Sequence, residues 1–180
     1  MKQAPLLSRP LEIGAISDDG RQERVVASPA ERAAIATEHK LLSVDRLEAD
    51  LDIRRPGGSL IVIDGRLRAN VVHTCVVSLD PAPQAIDETF HLSFALAGSR
   101  EAPAEPKPGA EVLVDPETDQ PEVITGTSID LGAAVLEHFS LALDPYPRAP
   151  GAALPPEASD ADGGPESPFA ALAALKARKS

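Results

Sequence analysis

The most reactive side chains of this chain lie two residues apart. His73 and Cys75 share one face if their segment is extended, because side chains alternate along a strand. A thiol beside an imidazole has the makings of a nucleophile and its base, or of two metal ligands. Either use needs further groups. Cys75 is the only cysteine, and His39, His91 and His138 do not complete a metal-ligand spacing. The plainer expectation is a small buried hydrophobe next to a hydrogen-bonded histidine. Neither form of glycine-rich phosphate loop is present, nor a G-x-S-x-G turn. The many carboxylates fall on solvent-facing positions or in tails. We therefore expect no enzyme, no catalytic residue, no metal site and no cofactor.

A second group of candidates is cationic. Arg54, Arg55, Arg66 and Arg68 flank a turn, and the chain ends in Lys176, Arg178 and Lys179. These are the residue types that neutralise phosphates in nucleic-acid binding. The net charge of −11 argues the other way, since a nucleic-acid-binding chain usually carries a basic footprint and this one is acidic overall. The same charge disfavours an anionic membrane surface and favours basic or apolar protein partners. A third group is apolar. Phe169, Leu172 and Leu175 or Lys176 recur every three or four residues after Pro168, the pattern of an amphipathic segment that docks on a partner or, equally, folds back on its own domain.

The element that must position the first two groups is Leu60–Leu79. Its odd positions are apolar or glycine apart from His73, and Asp64, Arg66, Arg68, Asn70, Thr74 and Ser78 occupy even ones. A period of two held this long is extended chain with one buried face. It exceeds the usual strand of about five or six residues, so bends are expected at Gly65 and near Ala69–Asn70, as in a half-barrel-like sheet. Residues 43–55 alternate likewise, and Arg55-Pro56-Gly57-Gly58-Ser59 is turn chemistry, which makes a hairpin. With odd positions facing odd, Glu48 and Asp50 lie opposite or diagonal to Arg66 and Arg68, so the arginines have a charge-matched account as well as a phosphate-binding one. Asp80–Gln84 reads as a loop and residues 85–97 as the third strand of a meander, apolar on one face except for Glu88.

Around this meander, residues 6–13 read as an edge strand between prolines, and Ile16–Val26 as polar and irregular. Ser28-Pro29-Ala30-Glu31 is a capping box opening a helix to about Lys40, with a thin stripe of Ala30, Ala33, Ala34, Ile35 and Thr37. Ser128 to about Leu143 is a second helix with Ser128 as its expected cap, Gly132 marking a close backbone approach, and Phe139 plugging the sheet. The fold class is thus α+β: a bent antiparallel β-meander packed by two helices, with a disordered acidic linker and a short C-terminal helix. The expected organisation is one domain over 1–148, with a flexible excursion at 98–121 tacked down by Val112-Leu113-Val114, then a Pro/Gly/Ala-rich linker over 149–167 and a basic amphipathic segment over 168–180. At 180 residues and 43% hydrophobic content a core is affordable only from aliphatics, for there is no Trp and aromatics are 3%. With no secretory leader and no apolar run of membrane-spanning length, a cytoplasmic protein is expected.

Three stretches together resemble the YceD family, the large ribosomal RNA accumulation proteins. Val71-Val72-His73-Thr74-Cys75-Val76-Val77-Ser78-Leu79-Asp80-Pro81 is similar to that family's central strand and turn. Ile129-Asp130-Leu131-Gly132, through Glu137 and Leu141-Ala142-Leu143 to Pro145-Tyr146-Pro147, is similar to its acidic helix. Pro168-Phe169-Ala170-Ala171-Leu172-Ala173-Ala174-Leu175-Lys176 is similar to its closing segment. The resemblance covers the chain from about residue 43 onward. It implies a non-enzymatic, bacterial role in synthesis, processing or stability of large-subunit (23S) ribosomal RNA during ribosome assembly; the acidic body then points to a ribosomal protein or large-subunit assembly factor as the expected partner, through which the RNA could be reached indirectly. Direct RNA binding through Arg54, Arg55, Arg66, Arg68 and the basic C-terminus is the alternative. Many relatives carry Cys-x-x-Cys in the central strand; here Ser78 stands where the second cysteine would fall, so no zinc-linked role carries over.

Overall fold

The computed structural model describes residues 5–17, 19–103 and 120–153. Strand β1 is Pro10–Glu12, β2 Arg21–Val26, β3 Ser43–Arg54, β4 Leu60–Thr74, β5 Pro81–Leu96, β6 Glu122–Ile124 and β7 Ser128–Asp130; helix α1 is Pro29–Glu38 and α2 Leu131–Ala142. The fold is α+β. Five strands form an open sheet in the order β2-β3-β4-β5-β6, antiparallel except for β5 with β6, and β1 pairs with β7 in a separate two-stranded ribbon. The expected meander of three long strands is its centre.

Alternation builds this centre. Leu47, Ala49, Leu51 and Ile53 of β3 and Ile61, Ile63, Leu67, Ala69 and Val71 of β4 are all buried on one face. Each fully buried aliphatic side chain of this kind contributes about 1.5–3 kcal/mol. Phe139 of α2 is wholly buried among them, as its helical spacing predicts. The hairpin pairs Glu48 with Arg68 and Asp50 with Arg66, and its register slips once, between Val44 and Arg46, which leaves β4 regular through Gly65 and Ala69–Asn70 and the sheet open, not curled into the expected half-barrel. Gly65 keeps regular pairing and has a different task. A Cβ there would lie 2.2 Å from Cζ of Phe90, whose ring covers the glycine and stacks on His138 of α2 at 4.1 Å.

Several expectations are corrected. The long strand stops at Thr74 rather than Leu79: residues 76–78 turn, and Leu79 takes a positive φ of 64° and is exposed, so the parity of the buried face ends at Cys75. The following strand begins at Pro81 and absorbs the expected loop. Pro81 and Pro83 are tolerated there because β6 pairs only with Phe94–Leu96, leaving the other edge of that end unpaired. Residues 21–26 are a strand, not irregular chain; as an edge strand β2 buries only Val25, which leaves almost no alternation to detect. The edge strand near the N-terminus shrinks to three residues. Most of the alanine stripe of α1 is exposed, and the helix is anchored on β3 by Ile35 and Ala36. Helix α2 starts at Leu131, since Ser128 is held in β7 and Asp130 is the cap. The Val112–Val114 tack-down, most of the expected 149–167 linker and the whole 168–180 segment lie outside the described residues.

Candidate functional site

The His73–Cys75 pair sits where β4 ends. Both residues are buried, but they do not address each other. His73 Nε2 is 2.7 Å from Oε1 of Gln84, the amide of Gln84 donates to the carbonyl of Ala142 at 2.9 Å, and the N–H of Asp144 donates to the same Oε1 at 3.2 Å. One glutamine thereby joins β4, β5 and the end of α2. The Cys75 sulfur accepts from the backbone N–H groups of Val77 and Ser78 at 3.4 and 3.3 Å. The Ser78 hydroxyl, the Ser78 amide and the amide of Ala149 together pull the thiol down to about 6. A turn of amides and a hydroxyl is a good cradle for a sulfur anion, yet the sulfur is sealed from solvent. No cluster of three or more metal-ligating side chains occurs among the described residues.

The arginines occupy the other face of the sheet, which neither helix covers. Arg66 donates twice to Asp87, at 2.7 and 2.8 Å, and Arg68 donates to Asp50 at 2.7 Å. Arg54 pairs with Asp64, whose other oxygen meets His91 Nδ1 at 2.8 Å. Arg24 and Arg46 share Glu48. Arg55 is engaged differently: it donates to the carbonyl of Gly58 at 2.6 Å. The carboxyls of Asp87, Asp64 and Glu48 are all held below their usual range, Asp87 chiefly by Arg66, Asp64 chiefly by His91 and Glu48 chiefly by Arg46. Some of them, Arg24, Asp50, Asp64, Arg66 and His91, line a groove of about 740 Å³ together with Gln22. It is a mixed-charge surface. Each exposed pair contributes little to stability, but together they occupy the cations that a phosphate would need.

Alternation on β3 and β4 predicts the match of Arg68 with Asp50, but Arg66 turns to Asp87 and Glu48 to Arg24 and Arg46, because Arg24 and Asp87 arrive from strands whose register that alternation does not fix. Gln84, in a stretch that reads as a loop, gives no sequence signal of its bridging role. A third feature had no sequence signal. Val76, Leu79, Leu141 and Tyr146, with Leu42, are large apolar residues left exposed at one end of the molecule. Hydrogen bonds hold their segments together: Val76 N–H donates to the carbonyl of Pro147 at 2.9 Å, and Leu42 N–H to that of Val72 at 2.8 Å. The predicted docking residues Pro168, Phe169, Leu172, Leu175 and Lys176 lie outside the described residues.

The end of β4, the turn after it and helix α2 are also where the chain can be compared with others. The family model for the large ribosomal RNA subunit accumulation protein YceD matches residues 63–176, more than half of the chain. The chain belongs to the YceD family. The match starts inside β4 rather than near residue 43, so α1, β2 and β3 precede it. No curated protein and no solved structure matches the chain. YceD membership carries involvement in the accumulation of large-subunit ribosomal RNA. No helix among the described residues is long and apolar enough to cross a membrane.

Proposed function

We propose that this YceD protein is a non-enzymatic, cytoplasmic factor of large-subunit assembly that acts by binding a basic protein, a ribosomal protein or maturation factor, and reaches ribosomal RNA only through it. The observation that carries this reading is the state of the sheet's outer face. Arg54, Arg66 and Arg68, the cations best placed to hold phosphates, are each spent on Asp64, Asp87 and Asp50. That face is thereby mixed in charge, and on a chain of net charge −11 the overall attraction is toward a basic partner and not a phosphate backbone. The segment Pro168–Lys176 supplies an apolar anchor for capture on its tether. His73 and Cys75 act as structure: each is buried and hydrogen-bonded to groups that close the end of the sheet.

The test is capture of partners by the full chain from lysate, with ribosomal fractions resolved by sedimentation. Co-migration with large-subunit precursors that resists ribonuclease supports a protein partner. Binding to naked ribosomal RNA whose affinity falls steeply with salt, and is lost in Arg66→Ala/Arg68→Ala, replaces this reading with direct RNA recognition.

A further inference from the structure

Five of the seven large apolar residues that are exposed among the described residues gather at the end of the molecule where β4, β5 and α2 meet. Leu79, Leu141 and Tyr146 are 74%, 75% and 73% exposed. Scattered single residues of this kind are ordinary, but a cluster marks an interaction surface. The backbone reinforces the point. Leu79 is held at φ 64°, a conformation unfavourable to a residue with a Cβ, and the effect is to keep its side chain outward.

The chain itself supplies an occupant. The described structure runs to Ala153, a few residues after Pro147 has bonded to Val76, so the remaining 27 residues set out from the patch. Fifteen residues separate Ala153 from Phe169. A flexible chain of that length would span roughly 20 Å, enough to return to a patch beside its point of departure and short enough to hold the segment at a high effective concentration. Composition matches too. Phe169, Leu172 and Leu175 offer an apolar stripe ending in Lys176, Arg178 and Lys179; the patch is apolar, with exposed Asp80 beside Leu79 and Asp144 beside Tyr146, against Arg148. We propose that in the free protein the C-terminal segment docks on its own domain, with Phe169, Leu172 and Leu175 covering Val76, Leu79, Leu141 and Tyr146. A partner that takes the segment must then lift it, which couples capture to exposure of this surface. The docking itself is a property of the isolated chain and holds whether or not the ribosomal reading does.

Tyr146 is the only tyrosine and there is no tryptophan, so intrinsic fluorescence reports on the patch alone. Acrylamide quenching of the full chain is compared with that of Leu172→Ser/Leu175→Ser in the tail and Leu141→Ser on the body, neither of which removes a buried side chain of the described core. Docking predicts a shielded Tyr146 and a quenching constant that rises about twofold in both variants, the change expected when a dominant state is emptied. Equal quenching in all three proteins overturns the proposal. Shielding that disappears on dilution of the wild-type chain also overturns it, in favour of contact between two copies. Failure of the wild-type chain to capture a ribosomal partner, with these results unchanged, would count against the assembly reading only.

Discussion

The two helices begin with the same chemistry and are fixed in different ways. At α1, Ser28 accepts from the N–H of Glu31 at 3.3 Å while the carboxylate of Glu31 accepts from the N–H of Ser28 at 2.7 Å. The box itself closes within four residues, and the Arg9 side chain adds two bonds to the Glu31 carboxylate from outside it, at 2.8 and 3.0 Å. At α2, Asp130 accepts from the N–H groups of Gly132 and Ala133 at 2.9 and 3.2 Å, but also from the N–H of Arg9 at 2.7 Å and the hydroxyl of Ser8 at 2.6 Å. Its cap is shared with a segment more than 120 residues away. The neighbouring Gly132 completes the joint, because a Cβ there would lie 2.8 Å from the carbonyl oxygen of Leu7. Both helix starts touch the N-terminal segment, but at α1 the capping residue Ser28 bonds only within its own box and Arg9 is added from the side, whereas at α2 the capping carboxylate itself holds Ser8 and Arg9 and so fastens the N-terminal ribbon to the core. The helix that the family match contains is thus the one whose position depends on residues outside that match.

If this contrast is right, Asp130→Ala has the largest effect. It removes the cap and strands the Ser8 and Arg9 donors as well, so unfolding in denaturant should show a loss of about 3 kcal/mol. Asp130→Asn should recover part of that. A loss no greater than that of Ser28→Ala would mean that the long-range bonds contribute nothing. Gly132→Ala comes next. Alanine favours helix by about 1 kcal/mol, but here backbone must move to admit a methyl, and overpacking of this kind costs about 1–3 kcal/mol. A net destabilisation, with faster amide exchange in β1 and β7, is expected; a stabilised variant would show that the approach relaxes freely. Ser28→Ala should cost about 1 kcal/mol and leave β1 exchange unchanged.

The smallest effect is a pH dependence. The Arg9 guanidinium, pairing with Glu31 at 2.8 Å, and the Ser28 amide hold the Glu31 carboxyl down at about 2. A carboxyl whose folded pKa is depressed adds stability above its unfolded pKa and loses it as pH falls toward the folded value. The difference in Tm between wild type and Glu31→Gln should therefore be present at pH 6 and shrink between about pH 4.5 and pH 2. Asp130 follows the same sign: burial would raise its carboxyl, and the bonds from Ser8, Arg9, Ala133 and Gly132 more than offset that and hold it low. A constant difference across that range would remove Glu31 from the account.

Legibility followed the range of the interactions. The α1 cap, the β3–β4 register and the buried face of β4 as far as Cys75 were readable because each is decided by residues close in sequence or by an uninterrupted alternation. Strands β2, β6 and β7 were not: β2 buries one side chain and the others have three residues each, so their extended form comes from the partner that pairs with them. The candidate site divides similarly. Of the partners of Arg54, Arg66 and Arg68 on the outer face, Asp87 comes from outside the β3–β4 hairpin, and the apolar end surface is assembled from a turn, a loop and a helix terminus whose residues look unremarkable one by one.

By itself the sequence determined the class of fold, the net acidity, the presence of a single thiol and the family motif, since period, charge count and the lone Cys75 need no third dimension. Only the tertiary structure decided that Ser128 is strand and Asp130 is cap, that Gln84 bridges His73 to α2, and that Leu79 and Tyr146 face outward together. The physical reason is common to all three: each is a competition for hydrogen bonds or burial between segments far apart in the chain, and its outcome exists only once both are in place.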